Sequence, residues 1–333
     1  MAPAPRYRVL QYLPYLEACG VQCEVRALHG ESYPPWSRWP VVGNLYKAAV
    51  RSRRWFQVSD AHTFDAVFLQ RLTLPFSSFI ERRLIRRSSK VIFDYDDALF
   101  QTPDGPDPTR FKVFRDVVDG VHRVVAGSQY LADKARQDAQ VIPTVIDTET
   151  YLPVARAGEE LVIGWMGTHS NYPNFPAILP QLEQILTRFP HVSLHIVSDV
   201  PPPFSLPRLH FTRWRKENEI ADLQRFHIGI MPLLDTDWNR GKCAFKLIEY
   251  MSVGIPVVAG SVGANREVVL EGETGYLAER PEQWGEALER LIGDEDLRRK
   301  MGETGRDRCV AHYSLLSQRE RLLAVLRETA AGK

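Results

Sequence analysis

Lys242, Lys246 and Glu249 stand at i, i+4 and i+7 in the stretch KCAFKLIEY. That spacing aligns all three on one face of a helix. Arg240 and Lys242 enter the start of this helix, where free N–H groups and the helix dipole already favour an anion. Two cations at the positive end oppose the dipole, so the arrangement makes sense when a diphosphate lies between them. A carboxylate two turns further in suits different chemistry, since Glu249 can accept hydrogen bonds from the vicinal hydroxyls of a ribose or sugar. The competing explanation is a solvated ion pair of Lys246 with Glu249, worth about 0.2–0.5 kcal/mol. Phe245, Ile248 and Met251 are expected to face the core, with Lys246 and Glu249 off that stripe.

The next stretch, GIPVVAG (254–260), reads as a short buried strand. SVGANREVV (261–269) then places Gly263 in a turn at the strand end, suited to close backbone approach. A second chemical cluster is KVIFDYDDALF (90–100). Asp94, Asp96 and Asp97 after a strand can ligate Mg²⁺ or Mn²⁺; equally, Asp94 can cap a turn into a helix. Cys19, Cys23, Cys243 and Cys309 form no CxxC pair, which argues against zinc and for reduced cytosolic thiols.

These groups need elements to hold them. A chain of 333 residues suggests about two domains. Its net charge of +1 argues against a nucleic-acid binder. The charge is uneven: residues 1–157 carry 21 Lys and Arg against 17 Asp and Glu, and the remainder 21 against 24. The basic clusters RSRRWF (51–56) and ERRLIRR (81–87) read as solvated helix faces, or as docking sites for an anionic membrane or lipid phosphate. No signal segment opens the chain and no apolar run is long enough for a membrane span. The expected location is the cytoplasm, with peripheral contact at the inner membrane face as a further option.

From residue 60 onward short apolar runs alternate with amphipathic stretches. Strands are expected at 65–70, 90–94, 123–127, 140–143, 161–167, 192–198, 209–212, 228–234, 256–260 and 275–278. Helical patterns at 176–189, 217–226 and 244–253 imply βαβ units and parallel sheets. The polar stretch 147–160, with Pro153 and Gly158, is the expected seam. Ser317 and Glu320 suggest a capping box for the last helix. Ligands of open α/β sheets lie at the carboxyl ends of the strands.

The order of these signals resembles the C-terminal half of glycosyltransferase family 4, on Glu249, MSVGIPVVAGSVGANREVV (251–269) and EGETGYLAE (271–279). The resemblance covers most of 161–315. It implies an α/β GT-B fold of two Rossmann-like doubly wound domains facing a cleft. The expected division is an acceptor-side domain over 1–153, a nucleotide-sugar domain over 154–313, and a C-terminal helix over 314–333 that returns to the first domain. It also implies a retaining transfer of a sugar from a nucleoside-diphosphate sugar to a glycan, lipid-linked or other hydroxyl acceptor. By resemblance Glu249 is the second Glu of the Glu-x7-Glu motif and holds the ribose. Glu267 matches the Glu after the glycine turn. Gly167, Thr168 and His169 line the crevice, and Trp214 and Arg215 fall where the base is contacted.

The departures define a divergent branch. Gly241 replaces the first Glu of the pair, and the family's Arg and Lys after the first strand are absent from GTHSNYPN (167–174). Arg240, Lys242 and Lys246 can restore that positive charge, so no obligatory metal is expected. Where the family brings a catalytic histidine to the first domain this chain has Asp96 and Asp97, either of which can orient or deprotonate the acceptor hydroxyl. Two alternatives share the nucleotide site: a sugar-nucleotide epimerase of GT-B fold, and a non-catalytic sugar-nucleotide-binding partner of another transferase. The start of the chain departs further. Residues 6–20 read as a helix kinked at Pro14, and VQCEVRAL (21–28) as the following strand. The expectation is an N-terminal sheet without its usual central first strand, in a chain that binds nucleotide but turns over poorly.

Overall fold

The computed structural model describes residues 3–28, 40–155 and 160–332. The chain divides into two compact units, residues 1–144 with 318–333, and residues 145–317. The first unit opens with α1 (Pro3–Arg8), a 3₁₀ turn (Leu10–Tyr12) and α2 (Leu13–Ala18). Pro14 sits in the first turn of α2, where its missing N–H is not needed, so the segment is two joined helices rather than one kinked helix. Residues 5–12 supply no strand to the sheet. Residues 21–28 alternate like a strand yet join no ladder. Arg26 instead ties this segment to Asp60, at 2.6 and 2.8 Å.

The elements that follow are α3 (Pro40–Gln57), β1 (Val67–Gln70), α4 (Phe79–Arg87) and β2 (Val91–Tyr95). After them come a small hairpin of β3 (Gln101–Thr102) and β4 (Gly105–Pro106), then α5 (Pro108–Val118), β5 (Arg123–Ala126), α6 (Gln129–Ala135) and β6 (Gln140–Val141). Ser128 caps α6 by accepting the Leu131 N–H. The parallel sheet runs β1-β2-β5-β6, each strand beside the next of the set in chain order. Every residue of β2 is buried, as expected for a strand of a parallel sheet covered on both faces.

The second unit begins at β7 (Leu161–Met166), continued by a 3₁₀ turn (His169–Asn174), α7 (Leu179–Arg188), β8 (Val192–Ser198) and β9 (Leu209–Arg213). Then come α8 (Glu219–Gln224), β10 (Ile228–Met231), α9 (Asp237–Arg240), α10 (Phe245–Ser252), β11 (Val257–Gly260), α11 (Asn265–Val268) and β12 (Gly275–Ala278). α12 (Pro281–Gly293), α13 (Glu295–Arg308), a π-helical turn (Cys309–Tyr313) and α14 (Leu315–Ala330) complete the chain. The six parallel strands are ordered β12-β11-β10-β7-β8-β9. After β9 the chain returns to pair β10 with β7 and then builds in the opposite direction. This is the Rossmann order, and the reversal between β7 and β10 opens a crevice at their carboxyl ends.

The last helix is capped by Ser314, whose Oγ accepts the Ser317 N–H at 3.0 Å. The cap thus lies one turn before the expected Ser317. From residue 318 onward α14 belongs to the first unit. There the Ala330 carbonyl accepts from Lys90 Nζ at 2.6 Å and Glu328 pairs with Arg123 at 3.1 Å.

Candidate functional site

The switch point of the second unit is held from below by α10. Its Tyr250 hydroxyl accepts the Met166 N–H of β7 at 3.0 Å and donates to the Ile230 carbonyl of β10 at 3.4 Å. Burial pushes this phenol well above its ordinary value, which keeps it a donor. Lys246 lies one turn earlier on the same helix. Its side chain passes directly over Gly167, where a Cβ would come 2.4 Å from Lys246 Cε. The ammonium rests 5.8 Å from the centroid of Trp165. A residue with a side chain at 167 would therefore have to displace the lysine. On the other side of the crevice Gly263 has φ +51°, and a Cβ there would lie 2.5 Å from the Arg240 carbonyl oxygen. The turn after β11 and the end of α9 sit back to back.

Lys242, Lys246 and Glu249 do not share one helix. α10 begins at Phe245, and Lys242 occupies the turn after α9, its N–H on the Asn239 carbonyl at 3.0 Å. Its ammonium lies 5.0 Å from the Trp238 ring centroid. Arg240 closes α9 rather than opening α10, and it is held by Asp235 at 2.7 and 3.0 Å and by Asp237 at 3.0 Å. The hydrogen bond from Arg240 holds the Asp235 carboxyl below the usual carboxylate range. Glu249 is only 7% exposed, and α10 is buried on every side from Leu247 to Ser252. This is a helix inside the unit, not an amphipathic one with a charged outer stripe. The chain enters it through Ala244, buried at φ 53°, ψ 21°, a left-handed conformation that costs a non-glycine residue about 1–2 kcal/mol.

Thr168 and His169 begin the turn after β7. His169 is pinned by Asp199 at the end of β8, through its backbone N–H at 2.8 Å and its Nδ1 at 2.5 Å. Partial burial opposes ionisation of Asp199, but the bonds from His169 and Ser198 prevail and hold its carboxyl below the usual range. Thr168 Oγ1 lies 2.9 Å from Ser170 Oγ. The same turn ends at buried Asn174, whose Oδ1 accepts from Asn239 Nδ2 at 2.7 Å and from the Leu234 N–H at 3.1 Å. Two loops that flank the switch point are joined by this pair of side-chain amides. Sequence reasoning passed over Asn174, Asp199 and Asn239; Asp199 was visible only as the polar residue next after a strand.

Trp214 follows β9 and donates its indole N–H to Glu219 at 3.0 Å. Glu219 is buried and also accepts from Tyr151. Arg215 is exposed beside it, and Glu267 is exposed on α11 with its backbone carbonyl bound by Arg308 at 2.6 Å.

In the first unit each aspartate of DYDD has an arginine. Asp94 lies within β2, fully buried, and takes Arg8 Nε at 2.8 and 3.1 Å, with Nη2 also bound to it. It caps no helix. Asp96 and Asp97 share Arg71, at 2.8 and 2.5 Å, and Arg71 itself stands at φ 63° after β1. Among the described residues no group of three or more His, Cys, Asp and Glu is arranged to hold a metal ion. None of the four cysteines is in a disulfide.

Comparison with known proteins bears on the fold and on the second unit. Residues 160–294 match the family model described as glycosyl transferases group 1. The spore coat protein SA of Bacillus subtilis is 22% identical over 251 residues, covering 62% of this chain and 65% of that protein. The N-acetyl-alpha-D-glucosaminyl L-malate synthase of Bacillus anthracis is 37% identical over 124 residues, 35% of this chain and 32% of the synthase. The matched stretches thus span less than two thirds of either relative. Among solved structures, Anabaena HepE in complex with UDP and glucose superposes with a TM-score of 0.68 at 15% identity, over 95% of this chain and 88% of that one. The chain has the GT-B fold of two Rossmann-like domains, and its residues 160–294 are similar to the group 1 glycosyltransferases.

Proposed function

We propose that this protein is a retaining glycosyltransferase that moves a sugar from a nucleoside-diphosphate sugar to a hydroxyl of a glycan or lipid-linked acceptor. The observation that carries the reading is the Rossmann switch point of the second unit, with Lys246 laid over Gly167 and Glu249 on the same buried helix. The diphosphate lies at the crevice against Lys246 and Lys242, with Thr168 and His169 on the β7 side. Glu249 accepts the ribose hydroxyls, the Gly263 turn and Glu267 face the donor sugar, and Trp214 and Arg215 flank the base. Arg240, matched by two aspartates, shapes the loop more than it supplies charge. As the leaving diphosphate gains negative charge, preorganised cations stabilise it without an obligatory metal. The sugar passes through an oxocarbenium-like state. Asp96 and Asp97, oriented by Arg71, engage the acceptor hydroxyl.

Gly241 in place of the family's first Glu favours a second reading, a nucleotide-sugar-binding partner without catalysis. Because HepE is solved with UDP, uridine diphosphate is the first probe. Lys246→Ala is expected to weaken UDP binding on the order of 100-fold while changing uridine binding little, the size of a lost preorganised charge contact. Equal losses for both ligands would remove the diphosphate assignment. Incubation with UDP-glucose and a hydroxyl acceptor then separates the two readings: a glycosylated product supports transfer, and tight binding without turnover supports the partner. Activity that vanishes with chelator and returns with Mn²⁺ would contradict the metal-free mechanism.

A further inference from the structure

The basic clusters at 51–56 and 81–87 fall on helices that share an aromatic surface in the first unit. α4 packs against α3 and against α5. Trp55 of α3 stacks on Phe79 of α4 with ring centroids 4.5 Å apart, and the Arg83 guanidinium lies 3.9 Å over Trp55. Phe76, in the loop entering α4, carries Arg110 of α5 over its ring at 5.1 Å. Phe56, Phe76, Phe79 and Phe111 are 72, 60, 57 and 51% exposed, and among the described residues no other phenylalanine is exposed. These contacts tie Phe76 to α5 and Phe79 to α3, while Phe56 and Phe111 are the chain neighbours of Trp55 and Arg110.

The charge around these phenylalanines is mainly basic, although Asp107 pairs with Arg110 at 3.7 Å. α3 contains no acidic residue, and the side chains of Arg51 and Arg53 are exposed. α4 contains four arginines and one acid, Glu81, which is buried with Oε1 on the Thr73 N–H at 2.6 Å and adds nothing to the surface. Asp116 is taken by Arg82 at 2.7 Å, while Arg86 and Arg87 are exposed at the end of the helix. Exposed apolar patches rimmed by charge mark interaction surfaces. Phenylalanine interleaved with arginine on helix faces matches the boundary between acyl chains and headgroups. A surplus of exposed arginine over acid matches anionic lipid. A nucleic-acid duplex would answer the arginines but leave the phenylalanines in water.

We propose that this aromatic and arginine face of the first unit docks the chain on an anionic bilayer surface. The proposal does not rest on the transfer reaction. Its test is flotation of the full chain with vesicles of phosphatidylcholine alone or of phosphatidylcholine mixed with phosphatidylglycerol. Binding is expected to the mixed vesicles and to weaken as salt is raised. Arg86→Glu with Arg87→Glu is expected to lower partitioning on the order of 100-fold, and Phe56→Ser with Phe76→Ser about tenfold. All four side chains are exposed, and an unchanged melting curve checks that the variants fold. Binding to neither vesicle, or equal binding to both that ignores the arginine changes, overturns the proposal. So does capture of a DNA duplex, lost with the same arginines, without any vesicle binding.

Discussion

The two sheets of this protein are both parallel and both end in loops rich in charge, yet they treat that charge differently. In the second unit the strand order reverses between β7 and β10, and a lysine, a buried glutamate and a strained alanine gather below the opening. In the first unit the described strands follow one another without reversal, and the aspartates at their ends are matched by Arg8 and Arg71. A reversal splays neighbouring loops apart and leaves room for a ligand between them. An unreversed run keeps its loops side by side, where opposite charges find each other. The same DYDD that reads as a metal cluster in one dimension becomes two sets of ion pairs in three.

Four experiments press on this contrast. The largest effect is expected from Arg8→Met, which leaves Asp94 buried without its partner and should cost about 3–5 kcal/mol in urea denaturation. Arg8→Met combined with Asp94→Leu should cost far less, because the stranded charge is gone. UDP binding in the second unit should survive both. If the single and double variants are equally unstable, the pair is not what holds the first unit's edge.

Gly167→Val tests the opposite edge. The new side chain meets Lys246 Cε and the Trp165 ring, so the overpacked variant should lose about 1–3 kcal/mol. UDP affinity should fall about tenfold, equivalent to about 1.4 kcal/mol. Unchanged affinity by calorimetry would mean that the lysine over Gly167 does not meet the ligand.

Asn239→Leu opens the amide link between the loops. About 1 kcal/mol should be lost for each buried group left unpaired, with UDP dissociation faster in stopped-flow traces. A stability loss alone, with dissociation unaltered, would reduce the link to packing.

The smallest effect concerns acid. Asp199 is held below its ordinary value of 3.8, so its contribution is complete above that value and is lost as the pH falls through the folded one. As the pH falls below 3.8 the urea midpoint of the parent should decline more steeply than that of Asp199→Asn. Parallel declines would show that His169 is not anchored there.

Much of the secondary structure was legible in the sequence. The runs VIF, LVIGWM and PVVAG are apolar on consecutive positions, and such runs suit strands covered on both faces. The glycine turn after β11 was equally local, since it depends on residues within one turn. The run at 21–28 misled because alternation describes a strand's faces and says nothing of whether a neighbour is present to pair with it. Lys242 misled for a related reason: spacing of i, i+4 and i+7 reads as one helix face until the chain is seen to break at Ala244.

Composition and periodicity by themselves determined that this chain builds parallel α/β units, because burying apolar runs requires only neighbouring residues of the right kind. Tertiary structure alone decided where the strand order reverses, that Lys246 crosses Gly167, and that Arg8 meets Asp94 across 86 positions. Those pairings depend on the path the chain takes between elements. A local pattern carries no record of that path, and buried charge takes whichever partner the path brings within reach.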